Sequence, residues 1–391
     1  MQPQTPSSSP APNGAMLNPA AIMPGANPAA PTEAAPPAAA PLDGDRLNAF
    51  VGKMLGDMGA VFSGALVLMG DKLGLYKAMA NAGPIGPQQL ALRTQTDERY
   101  VREWLSAMAA SGYMNYDPKT ERYTLSPEQA AVLADENSPA FMAGAFDIAS
   151  AMYRDEPKIT AAFKSGRGVG WHDHSQCLFR GTERFFKTSY RHHLVDEWLP
   201  ALEGVVEKLR RGARVADVGC GHGASTIIMA QAFPNSRFFG FDYHDGSIEQ
   251  ARAAAMEAGV AGQCEFAVAD ARSYPAMNYD LITFFDCLHD MGDPVGAARH
   301  ARSSMAADGT WMIVEPMAGD KVEDNLNPVG RIYYAASTML CTPASKSQDV
   351  GLALGAQAGE RRLAEVIRSG GFGRVRAAAT TPFNMVLEAR P

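Results

Sequence analysis

Basic residues are in short supply in this chain. It carries 35 Lys and Arg against 42 Asp and Glu over 391 residues, for a net charge of −7. Proteins that grip nucleic acid through its phosphates carry a basic surplus, so the balance weighs against that class. Cysteine is sparse too: there are five, at 177, 220, 264, 287 and 341, and no C-x-x-C. An odd count without paired spacing argues against a disulfide framework and a structural zinc site, and fits a reducing cytoplasm. No unbroken apolar run approaches the ~20 residues that span a bilayer, so no membrane association is expected. The first residues lack a basic stretch followed by a compact apolar one, so no secretory signal is expected. Residues 1–41 contain neither lysine nor arginine and are mostly Pro, Ala, Ser, Gly and Asn. Such a segment cannot bury enough apolar surface to offset its ordering entropy, and it reads as a disordered tail.

Apolar residue is plentiful elsewhere, at 46% of the chain, enough for two or three domains. Over 42–135 the pattern predicts helices at 62–79, 87–93 and 97–110, then a hairpin at 113–126 around Asp117-Pro118. In the third helix Val101, Trp104, Leu105 and Met108 recur at helical spacing on one face. Helix, turn, helix and hairpin make a winged helix. Asp97, Glu98 and Glu103 crowd the helix that would read DNA, so an apolar dimerisation role is expected and no nucleic acid. Residues 136–204 form a helical connector whose aromatic cluster, Trp171, Phe179, Phe185, Phe186 and Tyr190, is placed to act as a lid. From 205 to 391 strands alternate with helices. Strands are predicted at 214–219, 237–242, 264–269, 279–286, 310–315, 374–380 and 384–389, with helices at 224–233, 246–258, 294–305 and 360–369. The fold class is α/β: a Rossmann-like doubly wound sheet with a C-terminal antiparallel strand, preceded by an α-rich winged-helix domain.

The chemistry concentrates at strand ends. "VADVGCGHGAS" (215–225) follows a strand and opens a helix, a turn that favours an anion or a closely approaching ligand. Gly219-x-Gly221-x-x-Ala224 also satisfies a dinucleotide fingerprint, so the glycines alone leave NAD and other adenosyl cofactors open. Asp242 ends the second strand, where a carboxylate can accept two ribose hydroxyls. Asp270 ends the third, where it can accept an adenine amino group while the Ala271 N–H donates to the ring.

Asp-x-Gly-x-Gly, Asp242, Asp270-Ala271 and an acidic fourth strand end together resemble the class I S-adenosylmethionine (SAM)-dependent methyltransferases over 205–391. With the winged helix, the chain is similar to small-molecule O-methyltransferases that join an N-terminal dimerisation domain to a Rossmann-like catalytic domain, especially bacterial ones with "HDMGDP". The resemblance implies SAM as cofactor, held by Asp217, Gly219, Cys220, Gly221, Asp242, Tyr243, Asp270, Ala271, Phe285 and Asp286. It implies His289 as general base in "FFDCLHDMGDP" (284–294), with Met291 where relatives carry Trp. A histidine of ordinary pKa near 6.5 can take the proton of a phenol or acid as it is methylated.

Glu315, ending the fifth strand, is placed to orient that imidazole or to make a loop contact. Asp286, Asp290 and Asp293 straddle a strand end and a turn, so no metal is expected, and Asp293 before Pro294 reads as a helix cap. His222 lies within reach of the cofactor's amino-acid end. His172, His174 and Cys177 lack a second pair of ligands. The apolar stretch 327–351 reads as a helical insert walling an acceptor pocket, with Tyr333, Tyr334 and Met339 alongside Trp171, His172 and Glu315 as acceptor-facing candidates. The expectation is methyl transfer to an apolar or aromatic small molecule at oxygen, in a cytoplasmic homodimer. Carbon or nitrogen methylation in the same site, a SAM-sensing winged-helix regulator and an NAD enzyme are the rivals.

Overall fold

A computed structural model describes residues 41–391; the tail expected over 1–41 lies, up to position 40, outside the described residues. Compactness divides the chain into one unit ending at Lys53 and another running Met54–Pro391. Among the described residues the first holds the opening turns of α1 (Gly44–Lys72). By length and composition α1 is apolar enough to cross a membrane, and most of that stretch is exposed. The condition is met on average, with glycine and alanine between large side chains, not by an unbroken apolar run.

The expected single helix over 62–79 is two. α1 stops at Lys72, Gly74 takes φ 68°, and α2 (Leu75–Met79) restarts the chain in a new direction. The left-handed conformation explains the break, because only glycine adopts it without strain. α3 (Pro87–Thr94) and α4 (Glu98–Ala110) follow. The Asp97 carboxylate caps α4 by accepting the N–H groups of Arg99 and Tyr100. Val101, Trp104, Leu105 and Met108 are all buried, as their spacing predicts. Trp104 meets Tyr76 edge-on at 5.1 Å, and a Cβ on Gly70 would stand 2.4 Å from the Trp104 ring. That position must be glycine for α1 to pack there. β1 (Asn115–Asp117) and β2 (Arg122–Thr124) form the wing, and α5 (Pro127–Leu133) closes the domain.

The connector is helical, with α6 (Gly144–Ser165) packed along α7 (Cys177–Ser189), which continues as a π-helical stretch through Tyr190–Trp198. α8 (Val205–Arg211) leads into the sheet. Its elements are β3 (Arg214–Val218), α9 (Ala224–Ala232), β4 (Arg237–Asp242), α10 (Asp245–Glu257), β5 (Cys264–Val268), β6 (Tyr279–Phe285), α11 (Pro294–Ser304) and β7 (Met305–Pro316). After the insert helices α12 (Pro328–Ala336) and α13 (Thr342–Lys346) come α14 (Gly359–Ser369), β8 (Arg374–Thr380) and β9 (Asn384–Arg390).

The seven strands are ordered β5-β4-β3-β6-β7-β9-β8, and β9 runs antiparallel to both neighbours. The sequence places β7 at 310–315, yet pairing begins five residues earlier, where Met305 joins Tyr279 ahead of a register shift. Asp308 and Gly309 disguise that start as a turn. Apolar cores cover both faces: Leu194, Trp198 and Phe238 on one, Ile282, Trp311 and Ile367 on the other. The strand order reverses between β3 and β6, and the crevice outside their carboxyl ends is where such sheets bind ligands.

Candidate functional site

β3 is buried from Val215 to Val218, so the chain must turn sharply at its end. Gly219, Gly221 and Gly223 do this with φ of 73°, 52° and 78°. Gly219 has no room for a side chain, since a Cβ would stand 2.8 Å from the Cys287 sulfur. Its N–H and that of Cys220 both donate to the Phe241 carbonyl, at 2.7 and 3.1 Å. Asp242 accepts the Gly221 N–H at 3.0 Å through one carboxylate oxygen and the His244 N–H at 2.9 Å through the other. Burial raises its pKa despite these bonds. Each oxygen retains a lone pair for a further donor.

Asp217 lies beneath the loop, 1% exposed. It accepts hydroxyl hydrogens from Ser225 at 2.7 Å, Thr226 at 2.5 Å and Thr283 at 3.0 Å. Burial raises its pKa, with those hydroxyls opposing. It does not line the cavity above; it braces the loop that does.

That cavity has a volume of about 320 Å³. Of the residues expected to hold a cofactor, Gly219, Cys220, Gly221, Asp242, Tyr243, Asp270, Ala271, Phe285 and Asp286 line it. Asp270 is gripped by its neighbour Arg272, whose guanidinium donates to both carboxylate oxygens at 3.0 Å. That bidentate contact, ahead of any other cause, lowers the Asp270 pKa. Asp286 sits at φ 49°, a sparsely populated conformation for a residue with a side chain. Tyr190 O–H donates to it at 3.2 Å and the Asn384 amide at 2.8 Å. Burial first, and the nearby Glu315 charge second, push its pKa well above the usual range.

Trp171 lines the cavity, together with Phe179, Phe186 and Tyr190 of the connector. His172, Tyr333, Tyr334, Met339 and Glu315 are not on its wall. The exposed His172 ring stands 6.1 Å from that of Tyr243, edge-on. Tyr333 is buried and donates to the Phe383 carbonyl at 2.8 Å, and Met339 packs on the cluster around Leu340. The insert reaches the cavity instead through Ala344 and Gln348.

His289 is 3% exposed and also stands back from the wall, behind Asp290 and Met291, which line it. Its Nδ1 is 2.6 Å from Glu315, whose second oxygen accepts the Leu288 N–H at 3.0 Å. Its Nε2 lies 3.1 Å from Asp290 Oδ1. Burial alone would lower the histidine pKa, but the Asp290 and Glu315 carboxylates outweigh it and raise the pKa well above 6.5. Glu315 therefore holds the ring with Nε2 directed toward the cavity-lining Asp290. Asp293 caps α11 by accepting the Gly296 N–H at 2.8 Å.

His289, Asp290 and Cys341 bring one ligand atom each within 4.8 Å of one another. Burial, with the Asp290 charge next, pushes the Cys341 thiol up to about 12.

Sequence reasoning missed Glu183, which lines the cavity and contacts His222 Nδ1 at 2.9 Å, joining α7 to the glycine loop. Its spacing from Phe179 and Phe186 places all three on one face of α7, a signal that was available. Arg272 and Gln348 were also missed, and nothing local marks them.

Residues 62–135 match the family model described as the Rv2258c-like winged HTH domain, and 209–361 match a methyltransferase domain. A trans-aconitate 2-methyltransferase of Streptomyces avermitilis is 38% identical over 91 residues, 23% of this chain and 34% of that protein. The chain spans less than half the length of the first curated relatives it matches. The fold is shared with mitomycin 7-O-methyltransferase, at TM-score 0.63 and 19% identity over 89% of this chain and 100% of the other. It is shared likewise with human N-acetylserotonin methyltransferase solved with SAM, at TM-score 0.63 and 16% identity over 87% and 97%. The chain thus joins a segment that matches a winged helix–turn–helix model to a Rossmann-like segment that matches a methyltransferase domain.

Proposed function

We propose that this chain transfers the methyl group of SAM to an oxygen of an apolar or aromatic small molecule, with His289 as general base. The observation that carries the reading is the shared cavity: Gly219, Asp242 and Asp270 line one continuous space with Asp290 and Met291. The loop fits the cofactor, because Gly219 leaves backbone where a Cβ would collide with Cys287, and Asp242 keeps lone pairs for ribose hydroxyls. Asp270 on the same wall supports an adenine contact, its carboxylate oxygens each also accepting from Arg272. Bound SAM supplies an electrophilic methyl on sulfur. The residues here orient the two reactants and accept the acceptor's proton. Holding reactants in line supplies much of the rate, and a positioned base typically adds 10²–10⁴-fold. Glu315 at 2.6 Å supports the base assignment by holding Nδ1 and directing Nε2 toward the cavity side.

The test is calorimetry of the full chain with S-adenosylhomocysteine (SAH) and NAD, followed by turnover of His289→Ala. SAH binding and a turnover loss of ~10² or more are expected. NAD binding without SAH binding overturns the reading, and full turnover in the variant removes the base. Carbon or nitrogen methylation remains the second reading of the same cavity.

Self-association through α1 belongs to the same proposal. Met54, Leu55, Met58, Val61, Phe62 and Met69 are each at least 43% exposed, a patch of the kind that marks interaction sites. A DNA-binding regulator is disfavoured, because Arg99 pairs with Glu103 at 2.5 Å and Arg102 with Glu98 on α4. Five unpaired cysteines support a cytoplasmic setting.

A further inference from the structure

His289, Asp290 and Cys341 come from two segments of chain and converge. His289 and Asp290 sit in the turn after β6, and Cys341 ends a π-helical stretch, Ser337–Cys341, between α12 and α13. One nitrogen, one oxygen and one sulfur lie within 4.8 Å of one another, the one such trio among the described residues. π-Helical turns are rare and gather at functional sites. His289 Nε2 faces Asp290 Oδ1 at 3.1 Å, an ion pair when the ring is protonated. A divalent cation can take the place of that Nε2 proton and gain the sulfur as a third ligand.

The surroundings are those of a ligating histidine. Its other nitrogen, Nδ1, is 2.6 Å from Glu315, which is 1% exposed and fixed in turn by the Leu288 N–H at 3.0 Å. Histidines that bind metal almost always give their free N–H to a carboxylate or carbonyl in this way, which sets the tautomer and raises the basicity of the ligating nitrogen. The two segments are also tied together. Gln348 donates to the Asp290 carbonyl at 3.0 Å and accepts the Gly292 N–H at 3.0 Å, while Ser345 donates to the Met291 carbonyl at 2.8 Å. A Cβ on Gly292 would stand 2.5 Å from the Asp349 carbonyl oxygen, so turn and insert are in close contact. Packing outside the three side chains therefore sets the spacing of Cys341 from the other two.

Charge around the trio favours a cation. The Asp290 and Glu315 carboxylates flank the His289 ring, and among the described residues neither pairs with a lysine or arginine. Burial and the Asp290 charge keep the Cys341 thiol protonated. A metal reverses that order, because it deprotonates a coordinating thiol outright. Mixed nitrogen, oxygen and sulfur donors select zinc and ions like it over magnesium and calcium, which take oxygen alone. Three protein ligands leave a tetrahedral zinc one position for water. Asp290 lines the cavity with 21% of its side chain exposed, which gives an ion its way in.

We propose that His289 Nε2, Asp290 Oδ1 and Cys341 Sγ bind one zinc ion, with water from the cavity as its fourth ligand. A tetrahedral zinc holds its ligands ~3.5 Å apart, so the trio draws together from at most 4.8 Å. Binding sends the thiol proton and the Nε2 proton to solvent. The site stands on this geometry alone; its consequence rests on the methyl-transfer reading. Zinc occupies the nitrogen that would take the acceptor's proton, so the loaded chain is without its base until the ion leaves.

The experiment titrates the full chain, reduced and treated with a chelator, first with cobalt(II) and then with zinc, read by optical absorption. One equivalent of cobalt should raise a sulfur-to-cobalt charge-transfer band, and zinc should bleach it with a Kd of ~1 μM or tighter. Cys341→Ser should abolish the band and weaken zinc by more than the ~10–100-fold that loss of an outer partner costs. Cys177→Ser, whose thiol stands outside the trio, should leave both unchanged. No band, a band lost in Cys177→Ser but kept in a Cys341→Ser that circular dichroism shows to be folded, or magnesium binding as tightly as zinc overturns the inference. Nitrogen-15 spectra of the parent need no variant: zinc should shift the His289 Nε2 resonance, and an unmoved one overturns the inference by itself. Failure of SAH to bind would instead overturn the methyl-transfer reading and leave the zinc site standing.

Discussion

Replacing Glu315 with glutamine should damage the site while hardly changing its shape. The carboxylate accepts two donors, His289 Nδ1–H and the Leu288 N–H. An amide offers one oxygen and one NH₂. If the oxygen stays on the imidazole, the NH₂ confronts the Leu288 N–H. If the oxygen turns to Leu288, the NH₂ confronts the Nδ1–H of the imidazolium. Either way a buried ion pair is broken, with Glu315 1% and His289 3% exposed. Losing one partner of such a pair costs about 3–5 kcal/mol.

The sign of the pH effect follows from His289, whose folded pKa is raised above 6.5. The pair's stabilisation is fully present below about pH 6.5 and fades as pH rises through the raised folded value. In Glu315→Gln that pH-dependent loss should flatten, and the His289 titration should move to lower pH because burial still opposes the charge. Nitrogen-15 histidine spectra of the full chain, with urea unfolding at several pH values, report both quantities without an acceptor. An unchanged midpoint, or unfolding free energy within ~1 kcal/mol of the parent, would refute the account.

Gly219→Ala should weaken SAH binding by tenfold or more in calorimetry, since φ 73° and the Cys287 sulfur 2.8 Å from the added Cβ both oppose it; undiminished affinity would show that the loop has slack. Phe62→Glu should lower the sedimenting mass to that of a monomer if α1 is the self-association surface, and an unaltered mass would place any dimer elsewhere. Asp155 accepts from Ser175, Lys158 and His174, which outweigh its burial and lower its pKa to about 2. Its contribution is present above the ordinary 3.8 and lost as pH falls toward about 2. Asp155→Asn should therefore lose stability most at neutral pH and converge with the parent in acid, as followed by circular dichroism.

The sheet was legible because burial on both faces writes continuous apolar runs, and carboxylates at their ends stand out against them. Asp242 and Asp270 could thus be read as cavity residues from position alone. The face of α4 was legible for the same reason, since Val101, Trp104, Leu105 and Met108 repeat at helical spacing. Whether a side chain beyond a strand end faces the cavity was not legible. His289 and Asp290 are adjacent, and only the turn fixed by Gln348 and Ser345 decides that Asp290 forms the wall. Tyr333 and Met339 look like pocket residues by composition, yet packing against the connector claims them. Arg272 on Asp270 and His222 on Glu183 are pairings of exposed or half-buried groups, which leave no periodic trace.

The position of β9 has a consequence for the order in which the protein matures. This strand comes last in the described sequence but is not last in the sheet, since it slots between β7 and β8. Its first residue, Asn384, reaches back to Asp286 on the cavity wall. Contacts between such distant stretches form slowly. The glycine loop and the Ser225 and Thr226 hydroxyls on Asp217 belong to one short stretch, but the wall around Asp286 waits for β9 to dock. The stretch of cavity wall around Asp286 would therefore be completed after the glycine loop.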